Sequence, residues 1–375
     1  MGFVRILCRR VLPPFVLAIA IFVGWIFSKP MNMGVLFSTM IPVMQGHLPP
    51  TIFGHGRMAG TPPVPPDMIA QPRPAGELFL TLPGGKMMPQ SGLGMCCRAS
   101  AYDDVLVRRT VTWYLLLGGR HIDGAHLYLN HRAVGQGIRD AMERGVRRED
   151  IFVTTKLFPT TYGYNSTLST VPTFLDELGL SYVDLVLMHA PISALSRECR
   201  RAGMSSQQCL RGTWLALSEL RERGVMRNVG VSNFEVSHLK EMQAFSEDGG
   251  LAPIAVNQFQ WNVFSSPGAQ AIYDHCVDSG IAITAYYSLG SSFQRAEVEA
   301  VETLREIAAK HDQPISAIML RWSLQKGVAV IPGSGNPEHM KQNLNAYSFT
   351  LDEADMEMID ELRHDAKAQK LYRVA

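Results

Sequence analysis

The chain has 375 residues, of which 46% are hydrophobic and 18% are charged, a composition typical of a globular enzyme of one or two domains. Its formal net charge of +1 lacks the excess of clustered cations that nucleic acid binding requires, so nucleic acid is not expected as a partner. The six cysteines show no C-x-x-C spacing, which excludes a disulfide-dense scaffold, a zinc ribbon and a thioredoxin motif, and no metal is expected.

A hydrophobic run near the start of the chain predicts a membrane segment. Residues 11–27 are apolar, follow three arginines and are closed by Ser28 and Lys29. As a helix this run spans about 25 Å, somewhat less than the roughly 30 Å of a bilayer core. A cleaved signal peptide also fits, but no A-x-A-like cleavage site follows the run. The pattern therefore favours an uncleaved, single-pass signal anchor over residues 1–28.

A proline-rich and glycine-rich stretch separates this anchor from a predicted folded domain. Residues 29–75 lack helical or strand periodicity and are predicted to form a linker. The folded domain is expected over residues 76–375. It opens with a predicted β-hairpin, in which residues 78–82 and 86–88 flank a Pro-Gly-Gly turn.

Short apolar runs recur along the folded domain, and helical patterns lie between them, such as the one that starts with Asn130 as N-cap and stops at Gly145. Alternation of this kind predicts a parallel sheet buried on both faces. Eight repeats favour a (β/α)8 TIM barrel over a doubly wound open sheet, whose Gly-x-Gly-x-x-Gly turn is missing. The eight predicted strands are residues 91–94, 120–123, 151–155, 183–188, 228–231, 254–258, 281–285 and 328–331.

Polar side chains stand at the ends of these predicted strands, where a barrel of this type builds its active site. A lone histidine is usually structural, and a Ser-Asn pair is an ordinary helix N-cap. An acid, a lysine and a histidine at the ends of three successive strands are not explained in that way: these are Asp123, Lys156 and His189. Later strand ends carry Ser232, Asn233, Gln258, Tyr286 and Ser334.

These residue types suggest proton transfer to a carbonyl group. Lys156 needs a counter-ion, which Asp123 can supply. Tyr128 follows Asp123 by five residues and is within reach of the same barrel mouth. Its phenol has an ordinary pKa near 10, which an adjacent ammonium is expected to lower, making Tyr128 a general acid. His189 is then expected to align the carbonyl oxygen by a hydrogen bond.

The domain resembles the aldo-keto reductases in five collinear stretches: GRHIDGA at 119–125 with Tyr128 and Asn130, VTTKL at 153–157, DLVLMH at 184–189, GVSNF at 230–234, and IPGS at 331–334. The resemblance covers roughly residue 76 to the C terminus. It implies a (β/α)8 barrel with a hairpin at its bottom, and NADPH or NADH bound without a Rossmann fold. It also implies a small carbonyl substrate, an aldehyde or ketone, and a catalytic tetrad of Tyr128, Lys156, Asp123 and His189.

The same resemblance implies the cofactor contacts. Ser232, Asn233 and Gln258 would hold the carboxamide, and Tyr286 would stack on the nicotinamide ring. The segment after the last strand would also contact the cofactor, through Ser334 and through Asn343 at the adenine.

The chain departs from the family pattern at several positions. Gly333 and His339 stand where members that prefer NADPH commonly place a lysine and an arginine, so a preference for NADPH over NADH does not follow. Gly124 and His131 also differ from the usual residues, but neither is a chemical group of the tetrad. Met95, Cys96 and Cys97 replace an aromatic residue after the first strand, which predicts a less aromatic substrate pocket.

The leading functional hypothesis is a membrane-tethered carbonyl reductase. The alternative is a non-catalytic, cofactor-binding redox sensor or auxiliary subunit of a membrane protein. No pattern indicates an oligomeric state, and the substrate itself follows from no motif.

The distribution of positive charge predicts a cytoplasmic N terminus and a lumenal barrel. The sequon at Asn165, expected in a loop, and a disulfide that Cys199 and Cys209 could form both fit an oxidising lumen. The alternatives are a barrel that faces the cytosol and a protein that is secreted after signal cleavage.

Overall fold

The computed structural model of the chain describes residues 61–97, 101–290, 295–365 and 371. The predicted anchor over residues 1–28 and most of the predicted linker lie outside the described residues. Among the helices that are described, none is long and apolar enough to cross a membrane.

The secondary structure begins with an antiparallel hairpin of β1 (Phe79–Leu82) and β2 (Lys86–Pro89), with Thr81 opposite Met87. Eight parallel strands follow and pair in chain order. They are β3 (Leu93–Gly94), β4 (His121–Asp123), β5 (Phe152–Leu157), β6 (Val183–Met188), β7 (Met226–Ser232), β8 (Val256–Gln260), β9 (Ala282–Tyr286) and β10 (Val328–Val330).

Contacts between the first and last of these strands close the sheet into a (β/α)8 barrel, as the sequence predicted. Ser91 forms a parallel bridge with Val330. The backbone N–H of Gly92 donates to the carbonyl oxygen of Val330 at 2.7 Å, and the N–H of Val330 donates to the carbonyl oxygen of Gln90 at 2.7 Å. Because the strands are parallel and covered on both faces, most of their residues are buried whatever their polarity; all six residues of β5 and all six of β6 are buried.

Helices surround the barrel. They are α1 (Asp104–Leu116), α2 (His131–Met142), α3 (Tyr164–Leu178), α4 (Arg197–Arg201), α5 (Ser206–Glu222), α6 (Val236–Asp248), α7 (Pro267–Asp278), α8 (Arg295–Glu299), α9 (Glu302–His311), α10 (Ile315–Gln325), α11 (Pro337–Leu344) and α12 (Glu353–Glu361). The main hydrophobic core includes Trp214 of α5, Trp322 of α10 and Phe174 of α3.

The hairpin closes the amino-terminal end of the barrel. Leu82 and Met88 are buried in a cluster with Phe152, the first residue of β5, and Val256, the first residue of β8. The hairpin fills the end of the barrel where the strands begin. An active site is therefore expected at the opposite end, where the strands finish, in agreement with the general rule for such barrels.

The last part of the predicted linker runs along the outside of the barrel without helix or strand. The indole N–H of Trp113 donates to the carbonyl oxygen of Pro62 at 2.9 Å, and the guanidinium of Arg144 donates to that of Pro65 at 2.9 Å. The N–H of Gln71 donates to the carbonyl oxygen of Leu116 at 2.8 Å. Residues 61–75 are therefore docked on α1 and on the turn that follows α2.

Two local predictions were wrong. The sequon at Asn165 lies in the first turn of α3 rather than in a loop, and its Thr167 is fully buried. Asn130 precedes α2 as predicted, but its side chain does not cap that helix. Its amide donates instead to the carbonyl oxygens of Met95, at 3.0 Å, and Ala101, at 3.1 Å.

A disulfide joins Cys199 of α4 to Cys209 of α5, with a Cα–Cα distance of 5.6 Å. Both cysteines are buried, with 2% and 0% of their surface exposed. The bond links a helix of one and a half turns to the neighbouring long helix and so restrains the loop after β6.

Candidate active site

Four residues predicted as a tetrad come together where the strands end. Asp123 is the last residue of β4, Lys156 lies near the end of β5, and His189 directly follows β6. These strands are neighbours in the parallel sheet, so their carboxyl ends meet at one face of the barrel. Tyr128 ends a single 3₁₀ turn, His126–Tyr128, that follows β4 and returns its side chain to this face.

Lys156 and Asp123 form a buried ion pair. The Lys156 ammonium donates to Asp123 Oδ1 at 2.5 Å and to the carbonyl oxygen of Gly124 at 2.9 Å. Only 1% of each side chain is exposed. Burial lowers the pKa of Lys156, while the carboxylate of Asp123 opposes that shift. Removing two charges from water is costly and contributes little to stability, so a pair in this position indicates a functional site.

The Tyr128 hydroxyl lies 3.4 Å from the Lys156 ammonium, within reach of a hydrogen bond. The prediction that this ammonium lowers the pKa of Tyr128 was wrong for the structure as described. Burial, followed by the negative charge of Asp123, raises the pKa of the phenol well above 10. The phenol therefore stays protonated and keeps a proton to donate.

His189 is a neutral imidazole at physiological pH. Burial, together with the charge of Lys156, holds its pKa well below the usual 6.5. Its ring packs edge-on against Tyr128 and Phe158, with both centroid distances at 6.0 Å. The histidine therefore faces the phenol as a polar but uncharged group.

The residues expected at the carboxamide form one hydrogen-bonded group. The Ser232 hydroxyl donates to the carbonyl oxygen of Gln258 at 2.9 Å, and the Asn233 amide donates to Ser232 Oγ at 3.1 Å. The hydroxyl of Tyr286 donates to Asn233 Oδ1 at 2.7 Å. Through its own amide, Gln258 donates to Asp123 Oδ2 at 2.7 Å, which joins this group to the tetrad.

This donor set fits a nicotinamide carboxamide, which needs a donor for its oxygen and an acceptor for its amino group. Two side-chain amides and a hydroxyl supply both kinds of atom, and Ser232 and Gln258 are buried, with 1% and 3% exposed. Asn233 adopts a left-handed backbone conformation with φ of 62°, which turns its amide back toward β6 and the carbonyl oxygen of His189.

The residues expected at the adenosine end lie on a different element. Ser334 is buried in the turn after β10, where its hydroxyl accepts from the backbone N–H of Asn336 at 3.1 Å. Asn343 lies in α11. Gly333 and His339 stand where the family pattern has two cations. Both residues are exposed beside this turn. The ammonium of Lys341 is paired with Glu338 at 2.8 Å.

Sequence analysis missed two aromatic groups at the site. The phenols of Tyr102 and Tyr287 both interact electrostatically with that of Tyr128 and help to raise its pKa. Tyr287 has a left-handed backbone with φ of 53°, which no periodicity predicts.

A second missed feature supports the strand that carries Lys156. His131 Nε2 lies 2.8 Å from Thr155 Oγ1, and its Nδ1 lies 2.8 Å from Glu177 Oε2 of α3. Through these two contacts, Thr155, the residue before Lys156, is connected to α2 and α3. Only the departure of His131 from the family pattern hinted at it.

A sequence profile of the Aldo/keto reductase family matches residues 91–364. The 9,11-endoperoxide prostaglandin H2 reductase of Trypanosoma cruzi is 36% identical over 288 residues, covering 77% of this chain and 92% of the relative. Glyoxal reductase of Bacillus subtilis is 32% identical over 286 residues, with coverages of 76% and 93%.

Solved structures agree with this assignment. An aldo/keto reductase from Brucella melitensis has 31% identity and a TM-score of 0.63, covering 76% of this chain and 99% of its own. A Bombyx mori aldo-keto reductase in complex with NADP has 28% identity and a TM-score of 0.67, with coverages of 80% and 95%. The chain belongs to the aldo/keto reductase family of NAD(P)H-dependent oxidoreductases.

Proposed function

We propose that the protein reduces an aldehyde or ketone to the alcohol with NADPH or NADH. The observation that carries this proposal is the buried Lys156–Asp123 pair, 2.5 Å apart, next to a protonated Tyr128 and a neutral His189. A proton donor, a cation and an uncharged hydrogen-bonding group around one point are what a carbonyl oxygen needs as it becomes an alcohol oxygen.

Each side chain has a separate task in this reaction. The chemistry that NADPH or NADH would supply, when bound, is hydride donation. Tyr128 donates its proton to the carbonyl oxygen, and the Lys156 ammonium stabilises the phenolate that is left. His189 orients the carbonyl oxygen toward the phenol, and Asp123 keeps Lys156 charged in its buried position. The amides of Asn233 and Gln258 orient the nicotinamide end of the cofactor.

Turnover of the full-length chain with a panel of aldehydes and ketones tests this function and, at the same time, cofactor choice. We expect multiple turnovers with both NADPH and NADH and a ratio of kcat/KM values well below a thousandfold. Charge-assisted hydrogen bonds to phosphate are the strong ones, and Gly333 supplies none, while histidine lacks the permanent charge of arginine.

Two results would contradict these expectations. Oxidation of the cofactor that stops after a single turnover would favour a redox sensor over an enzyme. A preference for NADPH above a thousandfold would mean that another cation binds the 2′-phosphate, and Lys341→Gln would then remove that preference.

The pH dependence of the reduction follows from the state of His189. A histidine with an ordinary pKa would become charged as the pH falls through about 6.5. Here burial and Lys156 lower the pKa of His189 well below that value, so the imidazole stays neutral through this range. We therefore expect kcat/KM at saturating cofactor to show no inflexion near pH 6.5. An inflexion there that disappears in His189→Gln would show that the imidazole titrates normally.

We also propose that residues 11–27 tether the barrel to a membrane and that the barrel faces a lumen. The charge distribution around the run and the buried Cys199–Cys209 disulfide support this topology. In intact microsomes the C terminus should resist protease until detergent is added. Digestion without detergent, together with an unglycosylated Asn165, would place the barrel in the cytosol.

A further inference from the structure

A cavity of about 520 Å³ lies at the end of the barrel where the strands begin, opposite the tetrad. Its walls come from the hairpin, from the residues just before β6, from the end of α5 and from the start of β7. Among the described residues, the lining side chains include three cations and no carboxylate: they are Lys86, Arg221 and Arg227, with Ser181, Tyr182 and Met226. The proposed reduction gives this cavity no task.

The carboxylate of Asp184 contacts this group of cations, but its charge is already compensated. Its Oδ2 accepts from the backbone N–H of Val153 at 2.9 Å and from the guanidinium of Arg148 at 3.0 Å, and only 10% of the side chain is exposed. The Nε of Arg227 lies farther away, 3.6 Å from Asp184 Oδ1. Because Arg148 compensates the single negative charge, the positive charge of Arg227 has no carboxylate of its own.

The other two cations also lack a carboxylate partner. The Nε of Arg221 donates to the carbonyl oxygen of Arg227 at 3.2 Å. In the part of the chain that the structure describes, neither Lys86 nor Arg221 forms an ion pair. Lys86 is exposed and Arg221 is half-buried, so both are open to a ligand from solvent. A chain with a formal net charge of only +1 thus gathers three positive charges around one cavity.

Two of the three cations are held in place by their neighbours. The guanidinium of Arg227 lies 4.1 Å from the centre of the Tyr182 ring, and that of Arg148 lies 4.0 Å from the same centre. Arg221 is attached to the backbone of Arg227 by its hydrogen bond. Cations that are already ordered lose less entropy when they bind a ligand. A cleft lined by charges of one sign also concentrates ions of the opposite sign.

We propose that this cavity binds a small soluble molecule that carries a diphosphate or a pair of phosphate groups. Guanidinium groups bind phosphate oxygens through paired, charge-assisted hydrogen bonds, and the Lys86 ammonium adds a further cation. A diphosphate carries enough negative charge to compensate all three cations, whereas a carboxylate compensates only one. The walls of a cavity surround these cations, which favours a small molecule over a membrane surface. The site is independent of the proposed reductase function.

The test is calorimetric titration of inorganic pyrophosphate into the full-length protein at low ionic strength, with NADPH present at saturation. NADPH itself contains a diphosphate, so its presence keeps pyrophosphate out of the coenzyme site. We expect one pyrophosphate to bind per chain, and its Kd to rise as salt is added, because salt screens exposed charges. The absence of binding at low ionic strength, or binding that NADPH abolishes, would overturn the proposal.

Two single variants remove cations from the cavity. Lys86→Gln and Arg221→Gln should each raise the Kd for pyrophosphate by about tenfold, the effect of losing one charge-assisted hydrogen bond. Lys86→Arg keeps the charge and should bind nearly as the wild type does. The matched control is Lys240→Gln, since Lys240 is an exposed lysine of α6 that does not line the cavity. Equal weakening by Lys240→Gln, or a wild-type Kd in both cavity variants, would refute the site.

Thermal unfolding separates loss of the site from loss of the fold. A ligand that binds only the native protein raises its Tm, so pyrophosphate should raise the Tm of the wild type and of Lys240→Gln. It should have little effect on the double variant Lys86→Gln/Arg221→Gln. That variant should keep the wild-type Kd for NADPH, because the altered residues lie at the other end of the barrel. An equal rise in Tm in the double variant would contradict the proposal.

Discussion

Tyr128→Phe is expected to lower kcat for carbonyl reduction roughly 10²–10⁴-fold while leaving the Kd for NADPH nearly unchanged. The structure gives the reason for each half of this result. The phenol lies 3.4 Å from the Lys156 ammonium and stays protonated, so its loss removes the proton donor. The groups expected at the carboxamide are Asn233, directly after β7, and Gln258 of β8, and they keep their own contacts. Steady-state kinetics and fluorescence titration of NADPH measure the two quantities.

Tyr287→Phe is the matched control, because it removes a second phenol that interacts with Tyr128 but is not part of the tetrad. Its kcat should stay within about tenfold of the wild-type value, since a neighbouring hydroxyl that only modulates the electrostatics contributes less than the proton donor itself. If Tyr128→Phe kept more than about a tenth of the wild-type kcat, another group would have to supply the proton.

Gly135→Ala is expected to destabilise the barrel by about 3 kcal/mol or more, or to prevent folding. Gly135 lies within α2, where a Cβ atom would come 1.9 Å from the carbonyl oxygen of Leu178 at the end of α3. The neighbouring atom is backbone, so a side-chain rotation cannot relieve the clash. The two helices would have to separate, and the buried surfaces of α1, α2 and α3 would lose contact.

The control is Gly212→Ala in α5, another glycine within a long helix. There the nearest atoms to a new Cβ are at 3.6 and 3.9 Å, which is ordinary contact. This change should be neutral or stabilise the protein by up to about 1 kcal/mol, since alanine favours helix more than glycine does. Urea denaturation followed by circular dichroism compares the variants. Equal urea midpoints for Gly135→Ala and Gly212→Ala would mean that the close contact between α2 and α3 does not require a glycine.

The fold was predictable because burial on both faces of a parallel strand favours a short apolar run in the sequence. The predicted strand at 183–188 coincides with β6, and Asp123, Lys156 and His189 lie at the carboxyl ends of β4, β5 and β6. The first strand is shorter than predicted. Ser91 makes only a single bridge to Val330, at the opposite end of the sheet, and such a contact depends on how the barrel closes.

The proximity of the four tetrad side chains was predictable from the sequence, but their electrostatics were not. Asp123, Lys156 and Tyr128 follow from spacing and chemistry, whereas the raised pKa of Tyr128 comes first from its burial and then from the charge of Asp123. Tyr102 and Tyr287 come from loops without periodicity, and the side chain of Asn130 is drawn away from its helix by distant carbonyl groups. These features arise from long-range contacts that a local pattern does not contain.

Closure of the barrel between β3 and β10 has a consequence for synthesis of the protein on the ribosome. The free edge of β3 receives its partner only when Val330 has left the ribosomal tunnel, so nearly the whole chain must be made first. Until then the nascent barrel presents an unpaired parallel edge, which is prone to aggregate. The hydrogen bond from the Gln258 amide to Asp123 Oδ2 likewise forms only after Gln258, 135 residues later in the chain, has been synthesised. A chain that ends before β10 would therefore keep the free edge of β3 unpaired.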